Sequence, residues 1–473
     1  MSRDRNRSVL VALLVAGTFF MENLDGTIIA TALPRIAESF GVEAVDLNIG
    51  MSAYLLTLAV FIPASGWLAD RFGARTVLSW AIAVFTLASL LCAVSDSVLT
   101  FTAARVLQGL GGAMMVPVGR LAVLRNTEKK DLVKRIATIT WPGLAAPVLG
   151  PPLGGFITTY ADWPWIFLLN LPLGVVALAM ALRIVPNDHA GERRRFDGIG
   201  FLLTGGACFG FMYGLELVAQ PGGRAWAGGR LLLGSLLLAA LAVRHARGRA
   251  APMLDLSALR VQTYRVTLAG GSLFRMAISA VPFLLPLMFQ LAFGLDAFHS
   301  GLMVLAVFAG NLMMKPLTTP VLRRLGFRGT LLCNGLLSAA TILACAFLTP
   351  QTPVPVILAL LFVSGLARSM QFTALNTLAF ADVPPGGMSG ANTLFSTVQQ
   401  MALGLGIALG AVVLRLGQSL HGEAGVPELT DFRLAFLVVA ALALLSLADA
   451  LRLPQDAARL VSGGHQPGSA RTG

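Results

Sequence analysis

Apolar runs of about twenty residues, parted by short polar or Gly/Pro-rich breaks, recur along the whole chain. A helix that crosses the hydrocarbon core of a bilayer needs about 20 mostly apolar residues. Fourteen stretches meet that requirement: 8–33, 47–69, 76–95, 99–124, 136–160, 163–186, 197–218, 226–245, 264–290, 298–323, 328–348, 354–378, 389–416 and 432–452. The eighth is the weakest, because Pro221 to Gly229 interrupt its start. The first run follows Arg3, Arg5 and Arg7 and resembles a signal peptide, but it is too long for one and contains Glu22 and Asp25. It is read as a retained first span. The predicted fold is all-α and integral to a membrane.

Composition strengthens that reading. Apolar residues make up 56% of the 473 and charged residues only 12%, half the usual share of about 25%. Fifty glycines and 24 prolines in so apolar a chain fit close helix packing in lipid. The net charge of +12 falls in short clusters between apolar runs, without the aromatic interleaving of a nucleic-acid face, so no nucleic acid is expected as partner. Most of the 35 basic residues fall on one side if the N-terminus is cytoplasmic, among them Arg71, Arg75, Arg120, Arg125, Lys129 and Arg247. The positive-inside rule then requires an even number of spans with both termini cytoplasmic, in the cell (inner or plasma) membrane. The four cysteines stand singly and the five histidines fall in loops or the tail, so neither a metal nor a cofactor is expected.

An internal repeat divides the chain. At an offset of 253, Gly17 falls on Gly270, Pro63 on Pro316, Gly73 on Gly326 and Arg75 on Arg328. The simplest account is two pseudo-symmetric six-helix halves, 1–186 and 264–453. Between them lie an inserted helix pair with its linkers, 187–263, and after them a short polar cytoplasmic tail, 454–473. Parallel repeats with a site at the midplane between them are a transporter arrangement.

Charges inside spans are functional by default, since each costs about 2.5–3.5 kcal/mol at mid-bilayer. Glu22 and Asp25 lie one turn apart on the first span. At about 1.5 Å per residue, Asp25 lies roughly 12 Å and Arg105 roughly 9 Å below the outer ends of their spans, which puts them near one level. A carboxylate that alternates between pairing with Arg105 and standing alone would load and release a proton. The second half carries Arg275, Lys315 and Arg368 within spans, with no acidic residue of their own half in view. Those three, with Glu22, are the candidate substrate-binding residues, and they point to an anionic, carboxylate-bearing solute. Arg275 falls on Glu22 at the repeat offset, so the two are expected to face each other. No Walker-type loop and no clustered nucleophile–base set appears, which argues against an enzyme.

Four ordered motifs carry a resemblance. The loop Gly66-Trp67-Leu68-Ala69-Asp70-Arg71-Phe72-Gly73-Ala74-Arg75 resembles the signature loop of the major facilitator superfamily. Physically, its Gly66, Gly73 and the charges Asp70, Arg71 and Arg75 form a conformational latch at helix ends. Arg105 to Ala113 look like that superfamily's fourth-helix motif, tied to proton transfer, and Pro147 to Gly155 like its fifth-helix antiporter motif. In the latter, Gly150, Pro151, Gly154 and Gly155 are expected to bend the helix and seal the halves. Leu24 to Pro34 and Trp165 to Gly174 are similar to the fourteen-helix drug:proton antiporters of EmrB/QacA type, with Ala64 to Asp70 and Gly111 to Arg120 closest to their MdtD branch. The resemblance implies the major facilitator fold and a proton-coupled efflux transporter that exports small amphipathic molecules by alternating access. It implies as partners the lipid bilayer, a small-molecule substrate and protons, and it names no efflux-system partner protein. The alternative from the intramembrane cations is export of an anionic or carboxylate metabolite, and a remote one is a non-transporting membrane sensor or scaffold.

Overall fold

The computed structural model describes residues 2–29, 32–42, 47–187, 195–219, 225–421, 427–454 and 457–458, and every regular element among them is helical. Most of the expected tail, and Ala30 and Thr31 of the first-span motif, lie outside the described residues. The chain runs through α1 (Ser2–Ile28), α2 (Leu33–Phe40), α3 (Asn48–Phe61), α4 (Ser65–Phe72), α5 (Ala74–Ala93), α6 (Val98–Arg125) and α7 (Leu132–Tyr160). After these come α8 (Trp165–Leu168), α9 (Asn170–Ile184), α10 (Gly198–Ala219), α11 (Ala225–Arg247) and α12 (Gln262–Leu287). The remaining helices are α13 (Ala297–Met313), α14 (Lys315–Cys345), α15 (Val354–Ala381), α16 (Met388–His421), α17 (Leu429–Leu445) and α18 (Leu447–Leu451).

Among the described residues, twelve helices are long and apolar enough to cross a membrane. α7 and α13 lie where the sequence places its fifth and tenth spans. Two of the expected spans break at a proline. The span 47–69 is interrupted by a 3-10 turn at Ile62–Ala64, and the span 298–323 ends at Met313 and restarts at Lys315. Pro63 and Pro316 stand at these breaks, and each lacks the N–H that would continue the helix.

The repeat is therefore a backbone fact as well as a sequence pattern. Ten residues past each proline lies a glycine with positive φ: Gly73 at φ 86° and Gly326 at φ 66°. Such angles strain any residue with a Cβ, so both turns need glycine. Pro63 and Gly73 bracket α4, and Pro316 and Gly326 bracket the first part of α14.

One apolar cluster, which includes Val15, Phe85 and Met115, draws its buried residues from positions 11–185, and another, which includes Phe289, Ile342 and Phe436, from 277–443. A third mixes Leu124, Val133 and Ile136 with Phe274, Phe380 and Phe395 and so bridges distant parts of the chain. α10 packs on α11, α3 and α16, while α11 is largely uncovered by protein. α13 crosses α15 closely: a Cβ on Gly365 would overlap the Val307 carbonyl, and one on Gly310 the Phe362 carbonyl. Backbone contact of this kind drives helix association in lipid. Gly365→Val is expected to cost about 3 kcal/mol or more by overpacking, read as a fall in thermal midpoint and yield of the purified protein.

Candidate functional site

α1 and α6 bring opposite charges together at a fully buried point. Arg105 Nη1 lies 2.6 Å from Asp25 Oδ2, and both side chains are essentially inaccessible. A bare buried pair would repay its desolvation poorly, so the remaining lone pairs matter. Asp25 Oδ1 accepts hydrogen bonds from Gln108 Nε2 (2.8 Å) and Asn170 Nδ2 (3.0 Å). Gln108 Oε1 accepts from Arg105 Nη1 (2.5 Å), and Ser89 Oγ accepts from Gln108 and Asn170 at 2.9 and 3.3 Å. The Tyr54 ring covers the guanidinium at 4.3 Å. Four helices, α1, α5, α6 and α9, thus hold one carboxylate in a closed polar cage.

Glu22, one turn away, is held differently. Its charged neighbours are Asp25 and Arg120, and among the described residues its Oε2 has no hydrogen-bond partner. A Cβ on Gly112 would meet both the Tyr54 hydroxyl and the Glu22 carboxyl carbon, at 3.4 and 3.6 Å. Glu22 therefore sits between the Asp25 cage and Arg120.

Arg120 corrects the sequence reading. Counted there with the cytoplasmic anchors, it is 4% exposed and lies inside the bundle. It stacks over Phe19 at 5.8 Å and Phe395 at 5.2 Å, and donates to Ser396 Oγ and Gln399 Oε1 at 3.4 and 3.5 Å. Arg275 stacks on the same Phe395 ring at 4.6 Å and donates to Thr267 O and Asn376 Oδ1 at 3.3 and 3.4 Å. The charged side chain that bears on Arg275 is Arg120, where the repeat led to the expectation of Glu22. Lys315 turns inward to Thr373 Oγ1 (3.2 Å) at the proline break. Arg368 is half-buried, and its Nε has no hydrogen-bond partner among the described residues.

The residues expected to form a latch lie at one end of the bundle. Asp70 pairs with Arg125 Nη2 at 2.5 Å, and Gly66 presses on Ser389 and Thr393 of α16. Asn392 Nδ2 donates to Pro117 O (2.8 Å) across the same contact. Arg71 is exposed beside this contact and Arg75 half-buried on α5. In α7, Gly150 abuts Thr27 and Ile28 of α1, Gly154 is buried and Gly155 half-buried, while the side chain of Pro151 lies outside the described residues. α7 also touches α13 and α15.

Within the inserted segment, Asp197 fastens the start of α10 to the end of α11 and to the linker that follows. Its carboxylate accepts from Gly200 N (3.0 Å) and Met253 N (3.1 Å) and meets His245 Nε2 at 2.8 Å. Burial pushes the Asp197 carboxyl up, but the bonds from His245, Gly200 and Met253 outweigh it and hold the group below its ordinary value. A depressed folded-state value stabilises above the unfolded one, and that stability is lost as pH falls through the folded value. Asp197→Asn is thus expected to lower the thermal midpoint at neutral pH, with the difference from wild type closing below about pH 3.9.

A sequence profile of the Major Facilitator Superfamily matches residues 15–411 and, in an overlapping segment, 267–468. The chain belongs to the Major Facilitator Superfamily. Within the superfamily it is 36% identical over 448 residues to MdtD proteins of Citrobacter koseri and Escherichia coli, named for multidrug resistance, covering 94% of each chain. Solved superfamily structures share the fold. The human organic anion transporter MFSD10 aligns with a TM-score of 0.66 at 16% identity, covering 94% of this chain and 99% of its own. The proton:xylose symporter XylE aligns with a TM-score of 0.65 at 14% identity, covering 96% and 98%. In this superfamily member Ser89 and Tyr54 escaped the sequence reading, while Gln108 and Asn170 fell inside quoted motifs without being singled out. For Ser89 and Tyr54 the available signal was a polar side chain within an apolar run.

Proposed function

We propose that this protein is a proton-coupled efflux transporter for small amphipathic molecules, working by alternating access between the segments 1–186 and 264–453. The observation that carries the reading is the pair of unlike carboxylates on one face of α1: Asp25 fully caged, Glu22 with one oxygen that has no partner among the described residues. Asp25 exchanges its proton when the cage opens and Arg105 withdraws, and Glu22 relays between that cage and Arg120. Asp70, Arg125 and the Gly66 contact close the cytoplasmic end, with both termini on that side of the cell membrane. The proton gradient drives the cycle without a cofactor: 100 mV is worth about 2.3 kcal/mol per charge, or roughly a fifty-fold solute gradient.

Export of a carboxylate metabolite is the less favoured reading. Arg275 and Lys315 are engaged by Thr267, Asn376, Phe395 and Thr373, and the similar MdtD proteins are named for multidrug resistance. The test is internal pH in proteoliposomes under an imposed proton gradient, with a lipophilic dye cation or citrate added. Proton flux with the cation supports the proposal. Flux with citrate alone overturns it in favour of the metabolite reading, and no flux with either overturns coupling itself.

A further inference from the structure

The inserted helix α10 stands against both α3 and α16 and covers the seam between them. Behind it lies a cavity of about 750 Å³, walled by Leu56, Met212, Phe283, Gly404 and Ile407. Its polar groups, Ser52, Glu216, Arg415 and Gln418, all lie toward the end opposite the latch. Ser52 Oγ donates to Glu216 Oε1 (2.5 Å) and Arg415 Nη1 to Val218 O (3.2 Å), so these groups also pin α10 to its two neighbours.

The dimensions and charges specify an occupant. From Gly404 to Arg415 the cavity follows α16 for eleven residues, about 16 Å at 1.5 Å per residue. One leaflet of the hydrocarbon core is about 15 Å deep. The mouth offers a guanidinium, suited to a phosphate, and a carboxylate, suited to an ammonium. The flexible thioether of Met212 lies against Gly404 and lets the wall adapt to a chain.

We propose that this cavity binds one zwitterionic phospholipid of the outer leaflet, with an acyl chain along α16, its phosphate at Arg415 and its ammonium at Glu216. The lipid fills the gap that α10 leaves between the halves. This site does not depend on the efflux reading or on the transported solute.

The test is native mass spectrometry of the purified full-length protein with phosphatidylethanolamine or phosphatidylglycerol of matched chains. Dodecyltrimethylammonium serves as a single-chain competitor. The expected result is retention of phosphatidylethanolamine about tenfold over phosphatidylglycerol, lost in Arg415→Ala and in Glu216→Gln. Because those changes also loosen α10, Ala411→Phe, which narrows the cavity without touching its charges, is expected to remove the same adduct. Equal retention of both lipids, insensitive to all three variants, would mean ordinary boundary lipid and overturn the proposal. Displacement by dodecyltrimethylammonium that requires Glu216 but not Arg415 would overturn it in favour of a cation site.

Discussion

Asp25→Asn is expected to abolish substrate-dependent proton flux in proteoliposomes and to lower the thermal midpoint at the same time. The asparagine turns an amide toward Arg105 and leaves a guanidinium buried without its counter-ion. Breaking a buried pair from one side costs about 3–5 kcal/mol. Loss of transport alone would therefore not separate coupling from assembly. The double variant Asp25→Asn, Arg105→Met removes the stranded charge and is expected to recover most of the thermal midpoint, since a well-packed apolar replacement of a buried pair is often neutral. It is expected to stay inactive in flux. Full proton-coupled transport by the double variant would make the pair a fastening and end the coupling role of Asp25.

Gly66→Val is the second large effect expected. The added Cβ would overlap Thr393 Oγ1 and crowd Ser389, both on α16, so α4 and α16 cannot keep their present contact. An overlap worth about 3 kcal/mol shifts a two-state balance by roughly a hundredfold. The latch end would then stand open, and transport should fall below about a tenth of wild type. A cysteine at Ser396 reports the change, with faster labelling by a cytoplasmic thiol reagent in the Gly66→Val background. Slow labelling together with full transport would show that these two helices do not part during the cycle.

The spans were legible because apolar length is a local property of sequence. Asp25 and Arg105 were legible because charge in an apolar run is conspicuous and helix rise fixes depth. What stayed hidden depends on contacts between distant segments. Arg120 lies near the C-terminal end of α6 and was counted as an anchor; only the approach of Phe395 and Ser396 shows that it faces inward. Gln108 and Asn170 carry no charge, and nothing local says that they converge on one carboxylate. The breaks at Pro63 and Pro316 were present in the repeat, yet hydropathy alone runs straight through them. The inserted pair had no role in the sequence reading, because its lining of the seam depends on which face α10 turns to α3 and α16.

The matched turns at Gly73 and Gly326 have a further consequence. Their backbones agree, but the residue three places before each does not: Asp70 in one, Arg323 in the other. Asp70 is fastened to Arg125, while Arg323 is exposed. The two turns thus share a backbone shape but carry opposite charges three residues upstream. Among the described residues, the first turn is held by an ion pair and the second is not. High salt should therefore loosen the two turns unequally, the first more than the second, and so bias the molecule toward one end.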